Sequence, residues 1–452
     1  MKNKENISQK KKYNRRDFLK TSAKASASLL FAPNIVRSAN TLGLEPINVA
    51  LLGAGSQGQV LMNACLKIPG IRFKAVCDIW KEYNQKRAYR LLKKYGHDLR
   101  AYDDFNEMID SENDLDAVLI ATPDFWHAEH ATVCLEAGLH VYCEKEMSNT
   151  LDGAKKIVKA ARKTGKLLQV GHQRRSNPRY IHCYENLLNN EEILGRITTV
   201  NGQWNRALQP DLGWPKKYEI PQKRLNHYGF KSMSQFRNWR WYKGLGGGPV
   251  VDLGSHQIDI YSWFLNSNPS SVIASGGTDY YDKSTHEWYD TVMAMFQYET
   301  NMGRVRAFYQ TITTNSNSGY YEKFMGDQGT LHISESAGRA GIYREQSAPL
   351  WDKLVEKGLL TSPKEETWNV KSDAVLDVRE TVAPPRYNIP ITMKDPYHKP
   401  HLENFFEAIK GKEKLNCDAE TGYETAVAVL KVNEAVEKSR IIDYHKNEFT
   451  VT

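Results

Sequence analysis

The chain has 452 residues, of which 40% are hydrophobic and 25% are charged, and this places it among soluble globular proteins with room for two domains. Its formal net charge of +8 comes from residues 1–38, where ten lysines and arginines accompany two acidic residues. The 51 basic and 51 acidic residues that remain cancel, so the composition favours no polyanionic partner and no nucleic-acid binding is predicted.

Residues 1–38 resemble a twin-arginine export signal. Arg15 and Arg16 stand in a basic run before the sequence DFLK, and a short apolar stretch follows at 25–32. We expect a signal peptide that directs the protein to the periplasm or otherwise out of the cytoplasm; the alternative is a solvated charged tail. No other run is long and apolar enough to span a bilayer, so no stable membrane insertion is predicted.

Short apolar runs alternate with helical stretches over residues 46–171. The runs lie at 47–52, 73–77, 117–121, 140–143 and 167–170. Strands that alternate with helices predict βαβ units and a parallel sheet. The expected fold class is therefore α/β, with a doubly wound Rossmann domain at the N-terminus.

Longer alternating segments characterise the second predicted domain, residues 172–452. They lie at 197–206, 271–279, 291–298 and 303–313, and two amphipathic helices follow at 401–410 and 419–438. This pattern predicts an α+β domain with an open, mainly antiparallel sheet that has one covered face.

Residues 207–243 contain eight aromatic side chains among basic and amide residues. Aromatic faces beside hydrogen-bonding groups suit stacking against sugar C–H faces, although we expect half or more of these rings to serve packing. The six cysteines of the chain show no CxxC and no regular spacing. We therefore expect no metal site and no disulfide framework, although an oxidising compartment would allow one bridge.

The sequence GAGSQG at residues 53–58 follows the first predicted strand and opens a helical stretch. In this context the first glycine permits a tight turn, the second lets the backbone approach a pyrophosphate, and the third lets helix and strand pack closely. Asp78 lies 20 residues after Gly58, at the end of the next predicted strand, where a carboxylate would accept hydrogen bonds from the adenosine ribose. It would repel a 2′-phosphate, so NAD is favoured over NADP; the alternative is a plain glycine-rich turn.

Further segments make the pattern specific. ATPDFWH at 121–127, EKE at 144–146 and GGGPVVDLGSH at 246–256, together with the glycine turn, resemble the Gfo/Idh/MocA oxidoreductase family over residues 47 to about 309. The resemblance implies an NAD-binding Rossmann domain and a C-terminal α+β domain whose open sheet often mediates oligomerisation. It therefore implies a homo-oligomer, a dimer or a tetramer.

The resemblance also implies roles for individual residues. Lys145 stands where the family's EKP lysine lies near the nicotinamide and the substrate hydroxyl, and Asp252 and His256 stand where its D-x-x-x-H pair meets the substrate. Glu146 replaces the family's usual proline, so the conformation of the backbone after Lys145 is not predicted. Gln173 and Arg174 are expected to hydrogen-bond polyol oxygens. The residues expected at the cofactor are Gly53, Gly55, Ser56, Gln57, Gly58, Asp78, Thr122, Pro123, His127 and Glu144.

Lys145, Asp252 and His256 also fit the chemistry of alcohol oxidation. The reaction needs a carbinol hydride aimed at the nicotinamide and a base for the hydroxyl proton. Asp252 and His256 are spaced i,i+4 and share one face of a helix. We expect His256 to be the base, Lys145 to assist, and Asp252 to orient the ring or bind a neighbouring hydroxyl. The alternative for Lys145 is a solvated loop lysine. The alternatives for Asp252 and His256 are an ordinary pair on a helix surface or half of a metal site, and no further ligand with convincing spacing completes such a site.

The predicted function is oxidation of a secondary hydroxyl of a small carbohydrate, glycoside or polyol, with C3 as the candidate position. Free NAD is scarce outside the cytoplasm, so an exported enzyme is expected to hold its cofactor tightly. Two alternatives stay open. One is a redox-neutral, NAD-dependent glycosidase that acts by transient C3 oxidation and elimination, and the other is a non-enzymatic protein that binds a sugar or a dinucleotide.

Overall fold

In the computed structural model, which describes residues 46–362 and 384–452, six parallel strands form the first sheet in the order β3-β2-β1-β4-β5-β6. The strand order runs outward in both directions from β1 and β4, which is the arrangement of a doubly wound sheet, and the crevice at this switch point is where such sheets bind ligands. The predicted Rossmann domain is confirmed. Its strands are β1 (Ile47–Leu52), β2 (Ile71–Cys77), β3 (Arg100–Tyr102), β4 (Ala117–Ile120), β5 (His140–Cys143) and β6 (Leu168–Val170).

The helices of this domain begin and end at recognisable signals. The Asp104 side chain accepts hydrogen bonds from the first turn of α3, and the Thr150 hydroxyl does the same for α5. Gly165, in the left-handed region, ends α5. The helices up to the domain crossing are α1 (Ser56–Cys65), α2 (Lys86–Lys94), α3 (Phe105–Ser111), α4 (Asp124–Glu136), α5 (Leu151–Thr164) and α6 (Pro178–His182).

A nine-stranded sheet forms the second domain, in the order β14-β13-β12-β11-β7-β10-β9-β8-β15. Every neighbouring pair is antiparallel except β7 and β10, which confirms the expected open, mainly antiparallel sheet. The strands are β7 (Ile197–Asn205), β8 (Pro269–Gly277), β9 (Thr291–Thr300), β10 (Gly303–Ile312), β11 (Tyr320–Gly326), β12 (Gly329–Ile333), β13 (Gly341–Arg344), β14 (Arg386–Tyr387) and β15 (Ile442–Asp443).

Among the described residues, helices cover one face of the second sheet and leave the other open. Alternate side chains such as Val292 and Phe296 are fully buried against the long helices α9 and α12, whereas Met293 and Met295 on the other face are exposed. The helices of this half are α7 (Gln222–His227), α8 (Met233–Arg237), α9 (Gly248–Leu265), α10 (Asp352–Glu356), α11 (Lys399–Ile409) and α12 (Ala419–Lys438).

Helix α11 returns to the Rossmann domain. Its Leu402, Phe405 and Phe406 are buried in the same hydrophobic cluster as Leu61 and Phe73 of the first domain. The range 172–452, predicted as the second domain, therefore also contributes to the core of the first. Its amphipathic pattern predicted the helix but not the partner of the apolar face.

All six cysteines lie in the described part of the chain, and each is a buried free thiol. Among residues 46–362 and 384–452, no group of three or more His, Cys, Asp or Glu side chains is placed to hold a metal ion. None of the helices in these ranges is both long and apolar enough to cross a lipid bilayer. The predicted signal peptide at 1–38 lies outside the described residues.

Candidate active site

A cavity of about 580 Å³ lies at the carboxyl ends of the parallel strands, between the Rossmann sheet, helix α9 and the aromatic-rich segment 207–243. Of the residues predicted to bind cofactor or substrate, Gly58 and Arg174 do not line it. Those that do are Gly53, Gly55, Ser56, Gln57, Asp78, Thr122, Pro123, His127, Glu144, Lys145, Gln173, Asp252 and His256.

The glycine turn is closed tightly against its surroundings. Gly53 has a φ of +92°, and a Cβ atom added there would lie 2.6 Å from the carbonyl oxygen of Ala121. A Cβ on Gly58 would overlap the carbonyl oxygen of Gly53. Gly58 therefore serves the close packing of α1 on β1, while Gly55, Ser56 and Gln57 line the cavity at the N-terminus of α1, where the first N–H groups of a helix have no partner within it. This cradle fits a dinucleotide pyrophosphate.

Substituting Gly58 with Ala is expected to weaken NAD binding at least about 100-fold, because the new methyl group forces α1 away from the turn and misaligns its N–H donors. Titration calorimetry of the cofactor-free protein measures the affinity. Gly338→Ala is the matched control, since a Cβ at that position meets no atom within 4 Å. A Gly58→Ala protein that stays folded and binds NAD within threefold of wild type would show that this turn is not the cofactor site.

Asp78 is fixed beside the turn by backbone donors. Its carboxylate accepts hydrogen bonds from the N–H groups of Ala54 at 2.8 Å and Trp80 at 2.7 Å. Burial raises the pKa of Asp78, and these backbone donors act in the opposite direction. A carboxylate has about four lone-pair sites, so it can accept further hydrogen bonds from a ribose. The predicted ribose contact is compatible with this position.

Gln57 links three distant segments at the cofactor side of the cavity. Its Nε2 donates to Glu144 Oε1 at 3.0 Å and lies 2.9 Å from His398 Nε2. The sequence did not predict a role for His398, which lies 341 residues after Gln57 and just before α11. The return of α11 to the Rossmann domain brings it here.

Lys145 is held by Asp252. Lys145 Nζ lies 3.1 Å from Asp252 Oδ1 and also donates to the backbone carbonyl of Asp252. The same Oδ1 is 3.2 Å from Arg240 Nε. Burial alone would raise the pKa of Asp252, but the cations of Lys145, Arg240 and Arg206 outweigh it and hold this pKa well below its usual range. Asp252 is therefore an ionised partner of Lys145, and the expectation that it orients the His256 ring is not met.

His256 lies one turn after Asp252 on α9, as its spacing predicted. Its ring packs against Trp204, with ring centroids 5.4 Å apart, and against the edge of His172. The buried Nδ1 has no hydrogen-bond partner among the described residues. Burial, followed by the nearby Lys145 charge, holds the pKa of His256 well below its usual range. The ring is therefore neutral and in the form that accepts a proton.

Arg174 is not positioned to touch a ligand. Its side chain is 1% exposed and forms ion pairs with Glu322 and, at 3.2 Å, with Glu335. The prediction that Arg174 hydrogen-bonds polyol oxygens is wrong for this structure, because two buried carboxylates occupy its guanidinium. The neighbouring Gln173 does line the cavity, and its Nε2 is 3.3 Å from Glu335 Oε1.

His127 connects two loops at the cavity wall. Its Nδ1 and Nε2 lie 2.8 Å from the carbonyl oxygens of Glu146 and Thr122, respectively. Burial lowers its pKa to about 4, whereas the two carbonyls act in the opposite direction, and a neutral ring donates its single N–H to one of them. Since both nitrogens already face protein carbonyls, His127 holds the loops in place and contributes only part of its surface to the cavity.

Glu146, which replaces the family's proline, follows a cis peptide bond and is fully buried. One carboxyl oxygen accepts from the N–H of Met147 at 2.9 Å, while the other has no partner among the described residues. Burial raises the pKa of Glu146 to about 8. The carboxyl is therefore mostly protonated at neutral pH.

Replacing Glu146 with Gln is expected to stabilise the fold. The wild-type carboxyl must bind a proton on folding when the pH exceeds its ordinary pKa of 4.5, and this penalty grows until about pH 8. At pH 7 it is on the order of 3 kcal/mol. Urea unfolding at pH 5 and pH 8 measures the difference, with the exposed Glu107→Gln as control. A Gln variant whose advantage does not increase with pH would contradict the assignment of a buried, protonated carboxyl.

The aromatic-rich segment 207–243 forms one wall of the cavity. Tyr228, Phe230 and Trp239 are buried in a cluster with Trp80 of the Rossmann domain, so these rings serve packing as well as shape. Sequence reasoning noted the mixture of aromatic and basic residues here, but it did not single out Arg240 as the second partner of Asp252.

Two regions of a known oxidoreductase family match this chain. The NAD-binding Rossmann fold of the family matches residues 47–172, and its C-terminal alpha/beta domain matches residues 187–443. Both matches agree with the two sheets and with the position of the glycine turn.

Individual relatives and solved structures are also similar to this chain. Inositol 2-dehydrogenase of Rubrobacter xylanophilus is 26% identical over 300 residues, which are 65% of this chain and 73% of that protein. D-glucoside 3-dehydrogenase of Escherichia coli is 28% identical over 223 residues, 49% of this chain and 54% of that protein. The chain thus matches about half to three quarters of the length of these curated relatives. Levoglucosan dehydrogenase in complex with NADH has a similar fold, with a TM-score of 0.66 at 18% identity over 88% of this chain and 99% of that one.

The predicted cofactor and enzyme class are confirmed by these matches: the chain is an NAD-dependent oxidoreductase and belongs to the Gfo/Idh/MocA family.

Proposed function

We propose that this protein oxidises a secondary hydroxyl of a sugar, a glycoside or a polyol. The observation that carries the proposal is the presence of neutral His256 and the Asp252-bound Lys145 in the cavity that the glycine turn opens into. The relatives named for dehydrogenation of inositol and of D-glucosides support this substrate class. The latter supports C3 as the candidate position on a glycoside.

Each residue has a defined part in the reaction. NAD, when bound, supplies the acceptor for the carbinol hydride. His256 accepts the hydroxyl proton as the hydride leaves, and because burial and the Lys145 charge disfavour the imidazolium, the ring passes this proton on. Lys145 donates a hydrogen bond to the oxygen that becomes the carbonyl, while Asp252 keeps the ammonium group in place. The alcohol thus loses one hydride and one proton.

Reduction of bound NAD by inositol or by methyl glucosides tests the proposal. We expect nicotinamide absorbance to appear with at least one of these compounds and to be lost when Lys145 is replaced. Absence of reduction with every sugar and polyol, in a protein that binds NAD, would favour a non-enzymatic binding protein instead.

We further propose that the protein is exported in its folded state with NAD already bound. The basic leader with Arg15 and Arg16 supports export, and the cradle of the glycine turn supports a retained cofactor. Protein purified from the periplasm should contain close to one NAD per chain after gel filtration. Recovery from the cytoplasm, or of protein without dinucleotide, would contradict this proposal.

A homo-oligomer formed through the uncovered sheet face is also proposed. Ile273, Met293 and Met295 are each 44% to 46% exposed on neighbouring strands β8 and β9, and this apolar area suits a second copy of the chain. Light scattering distinguishes a dimer or a tetramer from a monomer, and a monomer would contradict the proposal.

A further inference from the structure

Arg206 is one of the cations that line the cavity. Arg206 follows the last residue of β7, and its backbone N–H donates to Ile312 at 2.8 Å. The guanidinium carbon lies 5.3 Å from the centre of the Trp204 ring. Across residues 46–362 and 384–452, no acidic side chain forms an ion pair with Arg206 and no group accepts a hydrogen bond from its guanidinium.

The other arginines near the substrate end of the cavity are engaged by the protein. Arg240 pairs with Asp252, and Arg174 pairs with Glu322. Arg237 donates to the carbonyl of Gly213 at 3.2 Å. Arg206, which also lines the cavity, differs from them because none of its guanidinium donors has an acceptor within the described residues.

Arg206 lies close to the reacting groups. Trp204, over which its guanidinium stacks, is also the ring against which His256 packs. The charge of Arg206 is one of those that lower the pKa of Asp252. Because both side chains contact the Trp204 ring, a sugar whose hydroxyl contacts His256 also lies near Arg206.

Three cations surround Asp252 at the substrate end of the cavity. Lys145, Arg240 and Arg206 lie around one ionised carboxylate, that of Asp252. Burial raises the pKa of the nearby Asp124 to about 7, so at neutral pH this carboxyl is only partly ionised and balances only part of the positive charge of these cations. Glu144 lies toward the cofactor, bonded to Gln57. Two further lining carboxylates, Glu335 and Asp211, lie against Arg174 and His286, so neither of them pairs with Arg206. A neutral sugar would leave the Arg206 guanidinium without an anionic partner in a partly desolvated site.

Resting on the proposed dehydrogenase function, we propose that the substrate is an acidic sugar or glycoside, and that Arg206 binds its carboxylate. A guanidinium matches a carboxylate through two parallel N–H···O bonds, which fixes the orientation of the ring as well as adding affinity. Arg206 is thereby a residue that determines specificity, separate from the group that takes the proton.

Matched pairs of substrates test this inference. Methyl β-glucuronide and methyl β-glucoside differ at C6, where one has a carboxylate and the other a hydroxymethyl group, and the corresponding galacto pair tests the other configuration at C4. We expect kcat/KM for reduction of bound NAD to favour the acidic member of at least one pair by about 30-fold. Arg206→Gln should reduce this ratio to within about threefold, and Arg206→Lys should retain part of it. Arg90→Gln, which removes an exposed charge on α2, should leave the ratio unchanged.

The results of this experiment separate the acidic substrate from the dehydrogenase function. Equal or faster reduction by the neutral members, or a ratio that Arg206→Gln does not change, overturns the acidic substrate while the dehydrogenase function stands. A stronger preference for glucose 6-phosphate than for the uronides overturns the carboxylate in favour of a phosphate ester. If neither acidic nor neutral sugars reduce the bound cofactor, the proposed function fails and this inference fails with it.

Discussion

Replacing Lys145 with Met is expected to lower kcat/KM for sugar oxidation by about 10³-fold, because the oxygen that becomes a carbonyl loses its charged hydrogen-bond donor. Met retains a similar length and apolar stem, so the cavity keeps its shape. Lys145 Nζ is 3.1 Å from Asp252 Oδ1, and Arg240 remains to pair with this carboxylate in the variant. The buried charge is therefore not left without a partner, and we expect the protein to fold.

Steady-state rates together with NAD affinity separate this loss from a binding defect. NAD affinity should stay within about fivefold of wild type, since the glycine turn and Asp78 are unchanged. Lys163→Met removes a lysine whose side chain is 75% exposed on α5, and it should have no effect. A loss of less than about tenfold in Lys145→Met would show that Lys145 does not act at the reacting oxygen.

Replacing His256 with Asn is expected to lower kcat by about 10²- to 10⁴-fold, because the hydroxyl proton loses its acceptor. The pH dependence makes the assignment specific. Burial and the Lys145 charge hold the pKa of His256 well below its ordinary value of 6.5, so the ring stays in its accepting form as the pH falls through this value. Titration of His256 therefore gives no acid limb near pH 6.5.

The rate profile between pH 5 and 9 checks this second prediction. An acid limb near pH 6.5 that is present in wild type and absent from His256→Asn would contradict the low pKa of the ring. The double variant of Lys145 and His256 should lose little more activity than the more impaired single variant, because both side chains act on the same hydroxyl. Additive losses would indicate that they act in separate steps.

The fold was predictable where local chemistry determines it. β1 and β5 match their apolar runs residue for residue, and α12 matches the amphipathic pattern of 419–438. β3 was missed because it has three residues and two of their side chains are exposed, so no apolar run marks it. The parallel sheet was predicted from the βαβ pattern, but the packing of α11 on the first domain depends on contacts between distant segments.

The sequence motifs predicted which residues come together in the site, but not how their side chains pair. The glycine turn, Lys145, Asp252 and His256 do line one cavity, as their motifs indicated. The spacing of Asp252 and His256 predicted a shared helix, but it could not show that Lys145, 107 residues earlier, takes the carboxylate. Nor could it show that Arg174 is occupied by buried acids while Arg206 is not, because ion pairing depends on the tertiary fold.

NAD held in this site is expected to receive a hydride from a secondary hydroxyl of a sugar. Incubating the NAD-loaded protein with a panel of neutral and acidic glycosides, while following nicotinamide absorbance and identifying products by mass spectrometry, tests it most directly. The prediction is one keto-glycoside formed for each NAD reduced. Release of free sugar without net reduction would contradict it and would indicate a redox-neutral glycosidase.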